Sequence, residues 1–85
     1  MKIQGAVVKE QGVSFAIVVV KKSVIDNSFK AKEAIQSFAP VFRGLPINLM
    51  AQDSRGVPKY YGRSDIVNFL ANIQMESIPW REYTV

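Results

Sequence analysis

Arg55, Lys59 and Arg63 stand in the stretch "SRGVPKYYGR", residues 54 to 63, with Tyr60 and Tyr61 side by side between them. Cations interleaved with aromatic rings are how proteins hold single-stranded nucleic acid: the cations follow the phosphates and each stacked base contributes about 1–3 kcal/mol. Arg63 also lies just ahead of an expected helix start, where free N–H groups favour an anion. A plainer reading fits the same residues. Along a strand Tyr60 and Tyr61 point to opposite faces, so one ring packs inward, and Lys59 shares a face with Tyr61. Lys and Pro on an edge strand also guard against edge-to-edge aggregation.

Trp80, Arg81, Glu82 and Tyr83 form the second grouping. Trp, Tyr and Arg are favoured at the energetic centres of protein interfaces, so Trp80 and Arg81 are candidates for docking a partner. The alternative is that Trp80 closes the open end of a small core. A shared C-terminal strand covering an exposed edge would make the chain a homodimer.

Catalytic chemistry has few carriers. The sequence contains no Cys and no His, which excludes disulfides, thiol redox chemistry, thiolate or imidazole metal sites, and Cys-His or Ser-His nucleophile pairs. A metal would need an all-oxygen site, and the seven carboxylates are scattered. Asp53 and Asp65 flank the basic segment, but a turn and a helix start account for them. Lys21 and Lys22 at a strand end could meet a phosphate or simply face water. No GxGxxG or P-loop spacing occurs among the glycines. The expectation is therefore no catalytic residue, no cofactor and no metal.

Eighty-five residues, 48% apolar and 21% charged, describe a single compact domain over 1–85. The net charge of +4 is dispersed along the chain and bears mainly on solubility and encounter rates. The first residues are too short and mixed for a signal peptide, and the longest apolar run, Phe15 to Val20, falls far below the roughly 20 residues that span a bilayer. A cytoplasmic protein without membrane contact is expected.

The elements that must position these residues follow from periodicity. Residues 2 to 9 and 13 to 20 read as the two arms of a hairpin around "EQG". The second arm is apolar on both faces, with Val13, Phe15, Ile17 and Val19 on one and Ala16, Val18 and Val20 on the other with Ser14, as in a strand interior to a sheet and covered on each side. A second subunit or the chain's own elements could supply the second cover. Ser23, Asn27 and Ser28 are candidate caps, with Asp26 at capping-box spacing from Ser23. A helix follows with Ala31, Ala34, Ile35, Phe38 and Phe42 inward, stopped by Pro40. Residues 46 to 52 alternate as a strand, "DSRG" turns, and "VPKYYG" is a short strand whose Pro58 points to an edge. Ser64 is the expected cap of a second helix carrying Ile66, Phe69, Leu70 and Ile73. "REYTV" adds a last short strand. The sum is an α+β domain in two layers, one mixed sheet of four or five strands with two helices on one face, in the order ββαββα(β).

Residues 43 to 73 resemble the C-terminal half of the thioredoxin fold: "RGLP" before a strand, "DSRG" as the hairpin turn, Gly62 closing the second strand and "IVNFL" in the last helix. The resemblance implies a groove at Leu45–Pro46, a position often cis in that family. No redox function follows, because no Cys pair exists, and the first half reads as a hairpin plus a helix where that family would have a β-α-β unit.

Three functions stay open. The leading one is a non-catalytic protein-interaction or self-associating module. The others are a nucleic-acid-binding module using Arg55, Lys59, Tyr61 and Arg63, and a thioredoxin-like domain without redox cysteines.

Overall fold

A computed structural model describes residues 1–10 and 12–85. Its chain order is β1 (Lys2–Glu10), β2 (Val13–Val19), α1 (Lys22–Ile25), α2 (Ser28–Phe38), β3 (Ile47–Gln52), β4 (Pro58–Tyr61), α3 (Ser64–Ala71), a 3₁₀ turn (Met75–Ser77) and β5 (Arg81–Thr84). The strands form one sheet in the order β4-β3-β2-β1-β5. Strands β2 and β3 run parallel and every other neighbouring pair is antiparallel, so the sheet is mixed. This is the α+β arrangement and element order expected from the sequence.

Strand β2 sits at the centre of the sheet, as its doubly apolar pattern requires. Ala16 and Val18 pack with Ile3, Ile25, Ala31, Phe42 and Leu49 under α1 and α2. Phe15 and Ile17 pack on the other face with Ala6, Met50, Ile66, Leu70 and Ile78, under α3 and the 3₁₀ turn. Here the structure departs from the expected two layers with both helices on one face: α2 and α3 lie on opposite faces. The cause is β2 itself, whose four residues from Phe15 to Val18 are all buried and need cover on both sides. The chain's own α3 provides the second cover, and Phe15 meets Phe69 edge-on at 6.3 Å between ring centres.

Local signals behave unevenly. Helix α2 starts at Asn27, whose Oδ1 accepts the Lys30 N–H at 3.1 Å, and ends at Phe38 ahead of Pro40. The Ser23–Asp26 capping box does not form, because Ser23 lies inside the single turn α1 and the Asp26 carboxylate accepts from lysines. Ser64 is the first helical residue of α3; the cap position is Arg63, with no side-chain capping bond. The hairpin turn after β1 has Gly12 at φ 79°, the left-handed value expected of it, while Gln11 lies outside the described residues. The Leu45–Pro46 bond is trans, and the Pro46 carbonyl accepts the Ala16 N–H at 2.9 Å, opening the parallel ladder.

Candidate interaction site

The two edges of the sheet differ, and backbone geometry says how. In an antiparallel pair, residues that exchange hydrogen bonds with the neighbour alternate with residues whose N–H and C=O point away from it. Asp53 N–H donates to the Val57 carbonyl at 3.0 Å, which fixes the phase of the β3–β4 ladder. Pro58 and Tyr60 are then the residues of β4 that face outward. Pro58 has no N–H, so this edge offers a second strand little to grip.

On the other edge, Val85 N–H donates to the Met1 carbonyl at 2.8 Å and the Met1 amine donates to the Val85 carbonyl at 3.2 Å. With Ile3 opposite Tyr83 and Gly5 opposite Arg81, the inward-bonded residues of β5 are Arg81, Tyr83 and Val85. Glu82 and Thr84 therefore direct their N–H and C=O groups away from the sheet. Both are exposed, and no strand pairs with this side of β5 among the described residues. Tyr83 anchors the strand from beneath by packing edge-on against Phe42 at 4.9 Å. Gly5 leaves room for the neighbouring strand: a Cβ there would collide with the Ile17 carbonyl at 2.7 Å, while the Phe42 and Tyr83 rings would meet it at an ordinary 3.6 Å.

The basic-aromatic segment looks different once folded. Lys59 Nζ donates to Asp26 Oδ1 at 3.0 Å, and Lys22 Nζ donates to the other oxygen at 2.7 Å. Hydrogen bonds from Lys22 and Lys59 hold the Asp26 carboxyl below its usual range. Arg63 grips Asp65 through two 2.7 Å bonds, which hold that carboxyl down at about 2. Arg55 Nη2 lies 3.8 Å from Asp53 Oδ2, while Asp53 Oδ1 accepts the Arg55 and Val57 N–H groups and so builds the turn. Each of the three cations meets a different carboxylate, and Lys59 shares Asp26 with Lys22. Tyr61 packs into the α2 side of the core and Tyr60 into the α3 side, as strand alternation requires. Burial, and then the charge of Glu76, push the Tyr60 hydroxyl above its ordinary value.

Trp80 is half-buried against the α3-side core, and its Nε1 donates to the Met75 carbonyl at 3.1 Å. It closes the core just before β5, while the exposed Arg81 makes no ion pair among the described residues. Of the residues singled out in the sequence, Trp80 and Arg81 therefore lie at the β5 edge, whereas Glu82 and Thr84, which direct backbone groups outward there, carry no such signal in their side-chain types.

Two shallow clefts lie on the α3 face. One, of about 200 Å³, is lined by Glu10, Val13, Phe15, Asp65, Ile66 and Phe69. Asp65 is ionised at neutral pH and has no proton to donate there. The other, of about 130 Å³, lies between Gln4, Val19, Met50, Gln52, Met75 and Trp80. Among the described residues no group of three or more carboxylates could hold a metal ion, and no helix is long and apolar enough to cross a membrane.

Comparison with protein families, with curated proteins and with solved structures found no match to this chain.

Proposed function

We propose that this chain is a non-catalytic interaction module of the cytoplasm that binds an extended protein segment along the outer edge of β5. The observation that carries the reading is the contrast between the edges: Pro58 withholds a donor on β4, whereas Glu82 and Thr84 present complete donor–acceptor pairs on β5. Strand addition uses such groups for affinity and flanking side chains for selectivity. Trp80, Arg81 and Tyr83 supply flanks of the types that dominate interface energetics. The pairing of Arg55, Lys59 and Arg63 with Asp53, Asp26 and Asp65 weighs against nucleic acid as the partner, since phosphates would have to displace carboxylates.

A panel of short peptides of high strand propensity, titrated into the labelled protein, tests this reading. Amide signals of Glu82 and Thr84 are expected to move together with those of Arg81 and Tyr83, while Tyr60 and Arg63 stay still. Shifts confined to residues 54–63, or none with any peptide, would count against it.

A further inference from the structure

We infer that the segment this edge accepts is β5 of a second copy of the chain, joined antiparallel about a two-fold axis that passes beside Tyr83. The inference rests on the strand-addition reading above and adds the partner and the register.

A closed pair of identical chains has two-fold symmetry, so the two β5 strands run antiparallel. Among the residues of β5, Glu82 and Thr84 direct their backbone groups outward, so a ladder formed along this strand pairs them with each other or with themselves. Placing Glu82 against the partner's Glu82 sets like charges directly opposite and brings Thr84 against Trp80, whose N–H is already committed to the Ile78 carbonyl at 2.8 Å. Placing Thr84 against the partner's Thr84 pairs one outward residue per chain within the strand and sets Glu82 beyond the Arg81–Thr84 span of the partner's β5. Setting Glu82 opposite the partner's Thr84 uses both outward residues twice over. Each such pair exchanges both of its N–H···O=C bonds, and the Glu82 carboxylate faces a hydroxyl donor.

That register places Tyr83 directly opposite the partner's Tyr83 in a pair without mutual backbone bonds, where side chains approach most closely. Both rings lie on the α2 side, each already fixed by Phe42. Arg81 lies diagonally across from the partner's Tyr83, within the reach of its side chain, where a guanidinium over a ring is favourable. The arrangement gives the exposed Arg81 a partner and joins two five-stranded sheets into one continuous sheet.

Light scattering and a scan of single cysteines test this together. The mass of the unaltered chain is expected to rise from 9.5 kDa toward twice that value with concentration. Thr84→Pro removes an outward N–H and the hydroxyl that faces the partner's Glu82, breaks no inward bond to β1, and is expected to weaken association at least tenfold while leaving the circular dichroism unchanged. In this cysteine-free chain, Tyr83→Cys is expected to form a disulfide-linked dimer under mild oxidation, because the facing Cα atoms lie about 4.5 Å apart, within the range a disulfide spans. Glu82→Cys and Thr84→Cys are expected to cross-link much more slowly. A monomeric mass at every concentration overturns self-pairing, even where the peptide titration succeeds. Preferential cross-linking at position 82 or 84 overturns the register.

Discussion

Lys59 of β4 reaches across the sheet edge to Asp26, at the end of α1 and thirty-three positions earlier in the chain, and donates a 3.0 Å hydrogen bond to its carboxylate. Asp26 also accepts from Lys22, so one acid ties two lysines. The segment that looks most like an anion grip in the sequence therefore has its central cation engaged. Retention on heparin should reflect this. The unaltered protein is expected to elute at low salt, Arg55→Ala with Lys59→Ala to move little, and Asp26→Ala, which releases Lys22 and Lys59, to elute later. Tight retention of the unaltered chain, collapsing in the double variant, would restore nucleic acid as the partner.

The same ion pairs set the response to acid. Asp65 and Asp26 have carboxyl groups depressed in the folded state, so their contribution to stability is complete above the ordinary carboxylate value of 3.8 and is lost as pH falls below it. For Asp65 the loss runs from about pH 4 down to about 2. Both pairs are exposed, so the effect on global stability is small. Carbon-detected titration of the side chains is expected to place Asp65 lowest, near 2, and Arg63→Ala to return it toward the usual value. An unaltered Asp65 titration in that variant would contradict the geometry.

Gly62 connects β4 to α3 at φ 154°, a backbone conformation that favours glycine, and lies beside Asn48. A Cβ at this position would collide with Asn48 Oδ1. Gly62→Ala is expected to cost about 1–3 kcal/mol, the scale of overpacking in a filled interior, measurable as a lower urea midpoint. A midpoint equal to that of the unaltered chain would show that the contact yields freely.

Asn48 is the one buried polar residue among the described side chains, and neither its Oδ1 nor its Nδ2 has a hydrogen-bond partner there. An unpaired buried polar group costs about 1–3 kcal/mol. Asn48→Leu, similar in shape and apolar, is expected to stabilise the domain by part of that amount, read as a raised melting temperature. A marked fall would mean that the amide is bound in solution.

Much of this fold was legible in the sequence because the signals were local and strong. Phe15 to Val20 announced a central strand, Pro40 the end of α2, Pro58 an edge. The side on which α3 packs was not legible, since its apolar stripe says that it is covered and not by which face of the sheet. The Ser23–Asp26 spacing misled because Asp26 finds cations in Lys22 and Lys59, one of them far away in sequence. The β5 edge was half visible. Trp80 and Arg81 stand out as residue types, whereas the outward direction of Glu82 and Thr84 depends on the phase of the β1–β5 ladder.

Backbone amide exchange at Glu82 and Thr84, followed by NMR over a range of protein concentration, tests the role of the β5 edge most directly. Self-pairing predicts that protection of these two amides rises with concentration. The Tyr83 amide, bonded inward to β1, is expected to stay protected throughout. Free exchange at Glu82 and Thr84 at every concentration and with every peptide, alongside a protected Tyr83, would contradict the account.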